Sequence, residues 1–167
     1  EIMFIIEDLE WFKNQETAMA NDYFSNEKQN NIQWATENNT QNLEFLINDI
    51  NANIDNQIAQ DEIMITEYFN NEEPGNIAWL EAALADNRAI LEWMREDQIN
   101  SVTVWLNQEL IDEINSITTF FDNELINASN EINTTYETRL INDKNQANLH
   151  YDNLLAQRLQ ELDDRYN

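Results

Sequence analysis

Oxygen-bearing side chains dominate this sequence, which has 33 acidic residues against 8 basic ones and a formal net charge of −25. Calcium binds about six to eight oxygens from carboxylates and amides, which this chain has in excess. Many acids are neighbours or have helical i, i+3, i+4 spacing, a pattern that an ordinary solvated helix face also shows. The sequence thus predicts low-affinity calcium binding at multiple sites and no organic cofactor. The candidate residues are Glu7, Asp8, Glu10, Glu72, Glu73, Glu92, Glu96, Asp97, Glu109, Asp112, Glu113, Asp163 and Asp164.

Alternating oxygen side chains in residues 49–57 look like part of an EF-hand loop. Two positions do not fit, because Ile54 stands where the loop needs glycine and Gln60 stands where it needs a bidentate Glu. Ile50, Ile54 and Ile58 also have helical spacing through the same segment. We therefore interpret these residues as part of a helix.

The sequence shows no constellation for catalysis. His150 is the only histidine, and no serine lies in a glycine elbow that would suit a nucleophile. Ala147 occupies the place of the glutamate in the Glu-x-x-His motif of di-iron bundles. One glycine cannot form a phosphate loop, and no cysteine is available for a zinc site. We therefore expect this protein not to be an enzyme.

Composition also limits the partners and the fold class. With a pI near 4.1, nearly the whole surface would repel nucleic acid and anionic membranes, so neither is expected as a partner. No apolar run approaches the roughly 20 residues of a membrane span. Apolar residues make up 42% of the chain, which has one Gly and one Pro, and this combination favours a folded, all-α protein.

The main chain reversal is predicted at Pro74-Gly75, where proline removes a helical donor and glycine supplies backbone freedom. We divide the chain, taken as a single helical domain of residues 1–167, into an arm 1–71, a turn 72–76 and an arm 77–167. Apolar residues in both arms recur in steps of three and four, close to the period of 3.5 that is typical of coiled-coil packing. The fold is therefore predicted to be a long antiparallel helical hairpin or an elongated four-helix bundle.

The choice between these folds depends on two polar stretches, 25–31 and 128–135, which weaken the apolar pattern. If both break the helices, the bundle results; if neither does, the hairpin results. We call the positions at which one helix faces the other the seam. Polar residues such as Asp61 and Gln98 are expected at seam positions, where they would fix the register of the helices at a cost in stability. The five tryptophans are expected in the core or in an interface.

These features together resemble the mature trichocyst matrix proteins of ciliates, a group that includes granule lattice proteins. The resemblance covers the whole chain. It consists of acidity, Asn and Gln content, scarcity of Gly and Pro, near-heptad spacing, a first residue Glu1 that suits a product of proteolysis, and stretches such as Leu43–Ile50. It implies a structural protein that is cut from a secretory precursor and assembles with copies of itself and related proteins into a crystalline granule matrix. The same resemblance implies a location in the granule lumen, extracellular after discharge, and lattice expansion on contact with calcium at exocytosis.

A second class of function is an acidic helical interaction module that mimics nucleic acid or inhibits a basic partner. Such a mimic needs its charge on one continuous face, whereas the acids of this chain are spread along every segment. A charge of −25 also opposes close packing of copies unless protons or cations offset it. The sequence therefore favours the matrix protein over the mimic.

Overall fold

The protein is a hairpin of two helices. The computed structural model describes residues 2–166, with side chains from Ile6 onward; the predicted arm ends at residues 1 and 167 lie outside this range. Helix α1 spans Ile2–Asn71 and helix α2 spans Ile77–Tyr166. The predicted hairpin is confirmed, and its turn lies where Pro74-Gly75 placed it. The alternative four-helix bundle is wrong, because both helices are continuous.

The two weak stretches are helical, and polar side chains in them have partners within that structure. Lys28, in the stretch 25–31, donates from Nζ to Oδ1 of Asp122 on the other helix at 2.7 Å. Thr134, in the stretch 128–135, donates from Oγ1 to the carbonyl oxygen of Asn130 at 2.9 Å. This bond to the carbonyl four residues earlier satisfies the hydroxyl inside the helix, at a small cost in helix stability.

The connection between the helices is a five-residue turn, and hydrogen bonds mark the helix end on each side of it. The amide of Glu72 donates to the carbonyl of Tyr68 at 2.7 Å and extends the end of α1. Gly75 has φ of 86°, in the left-handed region that glycine adopts without strain. Asn76 then caps α2, since its Oδ1 accepts from the amide of Trp79 at 3.3 Å.

Inward-facing positions in both helices repeat every 11 residues. In α1 one such series has every member buried or half-buried, and it consists of Ile6, Thr17, Lys28, Asn39, Ile50 and Asp61. In α2 another such series consists of Ile99, Leu110, Phe121, Ile132 and Asp143. Eleven residues in three turns give about 3.67 per turn, close to the 3.6 of a straight α-helix. The period near 3.5 expected from the sequence is therefore too short.

Contacts divide the chain into two compact units, and both borders fall inside helices. The first unit comprises Glu1–Asn30 and Ile117–Asn167, and the second comprises Asn31–Ser116. The second unit has a small core in which Ile54, Ile58 and Leu91 pack together with Ile50 beside them. This core closes α1 on α2 within the unit.

Each unit also contains ion pairs between its helices. In the second unit, Arg88 Nη2 lies 2.6 Å from Glu62 Oε1, and Arg95 pairs with Asp55. In the first unit, Lys28 pairs with Asp122. In all three pairs the two residue numbers add up to 150. Within each unit, the ion pairs therefore join two antiparallel helical segments.

Candidate functional site

Large apolar side chains remain exposed along both helices. All five tryptophans are more than half exposed, with exposed fractions of 57% for Trp11, 61% for Trp34, 62% for Trp79, 65% for Trp93 and 56% for Trp105. A core location for them is therefore wrong for the chain by itself. Their predicted role in an interface stays a prediction.

Several apolar residues of α1 that follow the helical spacing are also exposed and do not face α2. Phe12, Met19 and Tyr23 are 50%, 69% and 60% exposed. Lys13 and Thr17 occupy half-buried seam positions instead. Apolar residues with helical spacing occur on more than one face of α1, so spacing alone does not show which face meets α2.

The accessible surface is large for the mass of the chain. It measures 12782 Å², whereas a compact monomer of 19.8 kDa exposes about 8,600 Å². The excess, about 4,000 Å², is within the range that obligate protein interfaces bury. No large described side chain is fully buried, and the buried apolar residues are few: Leu9, Ala35, Ile54, Ile58, Leu91, Leu106 and Tyr136. The hairpin thus buries little of the apolar surface that it carries.

The candidate calcium residues lie on the two helices, except Glu72 and Glu73, which lie in the turn. Twelve of the thirteen are exposed and Glu92 is half-buried. Two of them already have partners, since Glu92 Oε2 lies 3.4 Å from Arg95 Nη1 and Asp112 Oδ1 accepts from Gln108 at 3.0 Å. Over the described side chains, no three acidic, histidine or cysteine residues come together as a ready metal site.

The segment that looks like an EF-hand is helical throughout. Within it Asn53 donates to Asp49 Oδ2 at 3.2 Å, and Gln57 donates to Oδ1 of Asp61 at 2.7 Å. These i, i+4 bonds confirm the helix interpretation. Asp61 is half-buried as expected of a seam residue, but Gln98 is exposed, so its predicted seam position is wrong.

His150 and Tyr136 are the remaining groups with possible chemistry. His150 is exposed, and its ring lies edge-on to Tyr151 with 5.9 Å between centroids. Tyr136 is 8% exposed. Burial, its hydrogen bond to Glu16 and the charge of Glu16 raise the pKa of its hydroxyl above the ordinary value, partly offset by Arg139. Tyr136 is therefore a polar contact inside the first unit.

Comparisons with family models, with curated proteins and with solved structures find no match for this chain. Neither helix, over the residues that the structure describes, contains a segment long and apolar enough to cross a membrane. The chemistry of the exposed apolar and acidic surfaces is therefore the basis for a functional proposal.

Proposed function

We propose that this chain is a structural protein of a crystalline secretory-granule matrix of the trichocyst type. It assembles with copies of itself and related acidic helical proteins, in the granule lumen, and becomes extracellular on discharge. Contact with calcium at exocytosis changes the lattice and expands it. In this role the chain has no catalytic function.

The observation that carries the proposal is the exposed apolar surface along the hairpin. Monomeric proteins rarely expose large contiguous apolar patches, and larger ones indicate interaction surfaces. Tryptophan is enriched at the centres of interfaces, where the ring is buried and its N–H finds a partner. All five tryptophans are exposed, and the accessible surface is larger than that of a compact monomer of the same mass. Both features are expected of a subunit that buries this surface on assembly.

The acidic surface supports control of that assembly by cations. Copies with a charge of −25 repel each other at short range, and divalent cations or protons reduce the repulsion. A granule lumen at low pH would protonate some carboxylates and allow packing. Release into a calcium-containing medium of higher pH would ionise them and bring a divalent cation, which changes both repulsion and bridging. The exposed acids need only bind calcium weakly for this response.

Light scattering of the purified chain during a calcium titration tests the proposal, with magnesium at equal ionic strength as the control. We expect a change in particle size at millimolar calcium that EDTA reverses and that magnesium reproduces less well. Absence of any response to calcium in the millimolar range would contradict the proposal. Tight one-to-one binding to a basic protein or nuclease, without self-association, would support the acidic interaction module in its place.

A further inference from the structure

We propose that residues 151–166 of α2 form a parallel, side-by-side contact with the same segment of a second copy of this chain. This inference deepens the proposed function and rests on it in one respect, that copies of the chain associate. It concerns a stretch in which every residue from 148 to 166 is exposed, whereas Ala147 is half-buried.

The segment carries an apolar face that nothing in the described chain covers. At about 100° per residue, the members of this face fall within an arc of about 80°. We call it the C-terminal apolar face, and it consists of Tyr151, Leu155, Leu159, Leu162 and Tyr166. Their exposed fractions are 51%, 60%, 58%, 49% and 87%, respectively. A helix in water buries such a stripe against a partner.

The charged residues on the two edges of this face differ in sign. Arg158 and Arg165 lie on one edge, and Asp152 and Asp163 lie on the other. Glu161, whose Oε2 accepts from Arg158 at 2.8 Å, lies further from the face on the basic side. The face therefore has one basic and one acidic border.

This arrangement of charges selects the partner and its direction. When two helices pair in parallel, each edge of one helix meets the opposite edge of the other, so the basic edge meets the acidic edge twice. In an antiparallel pair, the basic edge of one helix would meet the basic edge of the other, and the two acidic edges would also meet, so both contacts would be repulsive. A second copy in parallel orientation is thus complementary to this face in both apolar surface and charge.

The contact places particular residues together. Residues five positions apart on opposite edges pair across a parallel two-helix contact, which brings Arg158 of one copy to Asp163 of the other, twice by symmetry. The acidic residues outside this segment also repel each other between the two copies, over longer distances. At about 0.15 M salt this repulsion is screened beyond about 8 Å, so the edge contacts decide the orientation.

Sedimentation equilibrium of the full chain in 0.15 M NaCl with EDTA tests for the contact. We expect a monomer–dimer equilibrium whose dissociation constant rises at least about tenfold in the double variant Leu155→Ala, Leu162→Ala. Leu149→Ala is the matched control, since Leu149 is 63% exposed but lies about 120° from the centre of the face. A chain that is monomeric at all concentrations, or an equal effect in the control, would overturn the inference.

Disulfide trapping tests the direction, because the chain contains no cysteine. In Tyr151→Cys the new thiols face each other in a parallel contact, and we expect a disulfide-linked dimer under mild oxidation. In an antiparallel contact centred on the middle of the face, the same two thiols lie about 22 Å apart along the helix axis and cannot form a disulfide. Gln157→Cys, on the far side of the helix, is the control. Trapping in neither variant, or in both equally, would contradict the parallel contact.

Charge reversal tests the edge pair. Arg158→Asp and Asp163→Arg are each expected to weaken the dimer several-fold, and the double reversal to restore it within about threefold. Additive weakening in the double variant would overturn the pairing. Circular dichroism on each variant checks that helix content is unchanged.

The outcome separates this inference from the proposed function. If the variants of the C-terminal apolar face do not alter dimerisation but calcium still changes light scattering, this inference fails and the proposed function stands. If Tyr151→Cys is trapped but calcium has no effect, the contact is real and the matrix function fails.

Discussion

Arg95 on α2 reaches across to Asp55 on α1, beside the core of the second unit. Only 21% of the Arg95 side chain is exposed, whereas Asp55 is 67% exposed. The Nε of Arg95 is buried without a hydrogen-bond partner. The two Nη groups of this side chain lie beside the carboxylates of Asp55 and Glu92, so only its Nε is without a partner, and its aliphatic part is packed.

That relationship predicts a difference between two substitutions of Arg95. Arg95→Met keeps the aliphatic volume and removes the unpartnered donor, so we expect the free energy of unfolding to stay within about 0.5 kcal/mol or to rise. Arg95→Ala also removes the packing and is expected to cost about 1–2 kcal/mol. Urea unfolding followed by circular dichroism measures both. Equal destabilisation by both variants would show that the ion pair with Asp55 matters more than the packing.

The core of the second unit predicts where truncation is costly. Ile58 is 7% exposed and contacts the cluster with Ile54 and Leu91. We expect Ile58→Ala to lower the free energy of unfolding by about 2–4 kcal/mol. Ile63→Ala is the control at a position that is 59% exposed, and a change within about 0.5 kcal/mol is expected there. Similar losses at both positions would mean that the outer face is also covered in solution.

The turn predicts a backbone effect at Gly75. An added Cβ would meet no atom within 4 Å, so any cost comes from the φ of 86° alone. Gly75→Ala is expected to destabilise the hairpin by about 1 kcal/mol, and Gly75→Asn by less, since asparagine tolerates this region better. Thermal unfolding of the two variants gives the comparison. A stabilising Gly75→Ala would show that the turn changes conformation.

Tyr136 predicts a response at high pH. Its pKa is raised in the folded chain by burial and by Glu16, so the folded state favours the protonated hydroxyl. The resulting stabilisation is present below the ordinary tyrosine pKa of about 10 and is lost as the pH rises through the raised pKa.

Absorbance at 295 nm across a pH titration measures this ionisation. In the parent chain we expect part of the absorbance change to occur above the ordinary tyrosine pKa, and this part to be missing from the curve of Tyr136→Phe. The unfolding free energy of the parent chain should also fall more steeply above pH 10 than that of the variant. Loss of absorbance change only around the ordinary tyrosine pKa, with the same pH dependence of the unfolding free energy in both proteins, would contradict the inward placement of the hydroxyl.

The sequence predicts the hairpin well at positions where the type of a single residue decides the backbone conformation. Pro74 and Gly75 cannot continue a helix, so the turn at 72–76 and both helix ends near it follow from residue type alone. The two polar stretches are harder to interpret. Lys28 also pairs with Asp122, which lies 94 residues away in sequence, and local propensity contains no information about that partner.

The seam and the site are predicted less well, for a related reason. The seam of α1 includes Lys13 and Thr17, while Phe12 and Tyr23 face solvent. Propensity and spacing identify several apolar faces but cannot rank them without the surface of α2. The candidate acids lie along both helices and in the turn. Their even distribution favours none of them as an ion ligand, so calcium binding stays a prediction.

The 11-residue spacing of the seam has a consequence for motion between helices. A pattern that repeats after three turns matches itself again when one helix slides along another by about 16.5 Å. The residues at these equivalent positions differ in type, since the series in α1 includes Ile6, Lys28 and Asp61. A slide of this size would therefore place unlike side chains against each other and would break pairs such as Lys28 with Asp122. The repeated geometry alone therefore does not create alternative positions, because residue type and the short turn oppose them.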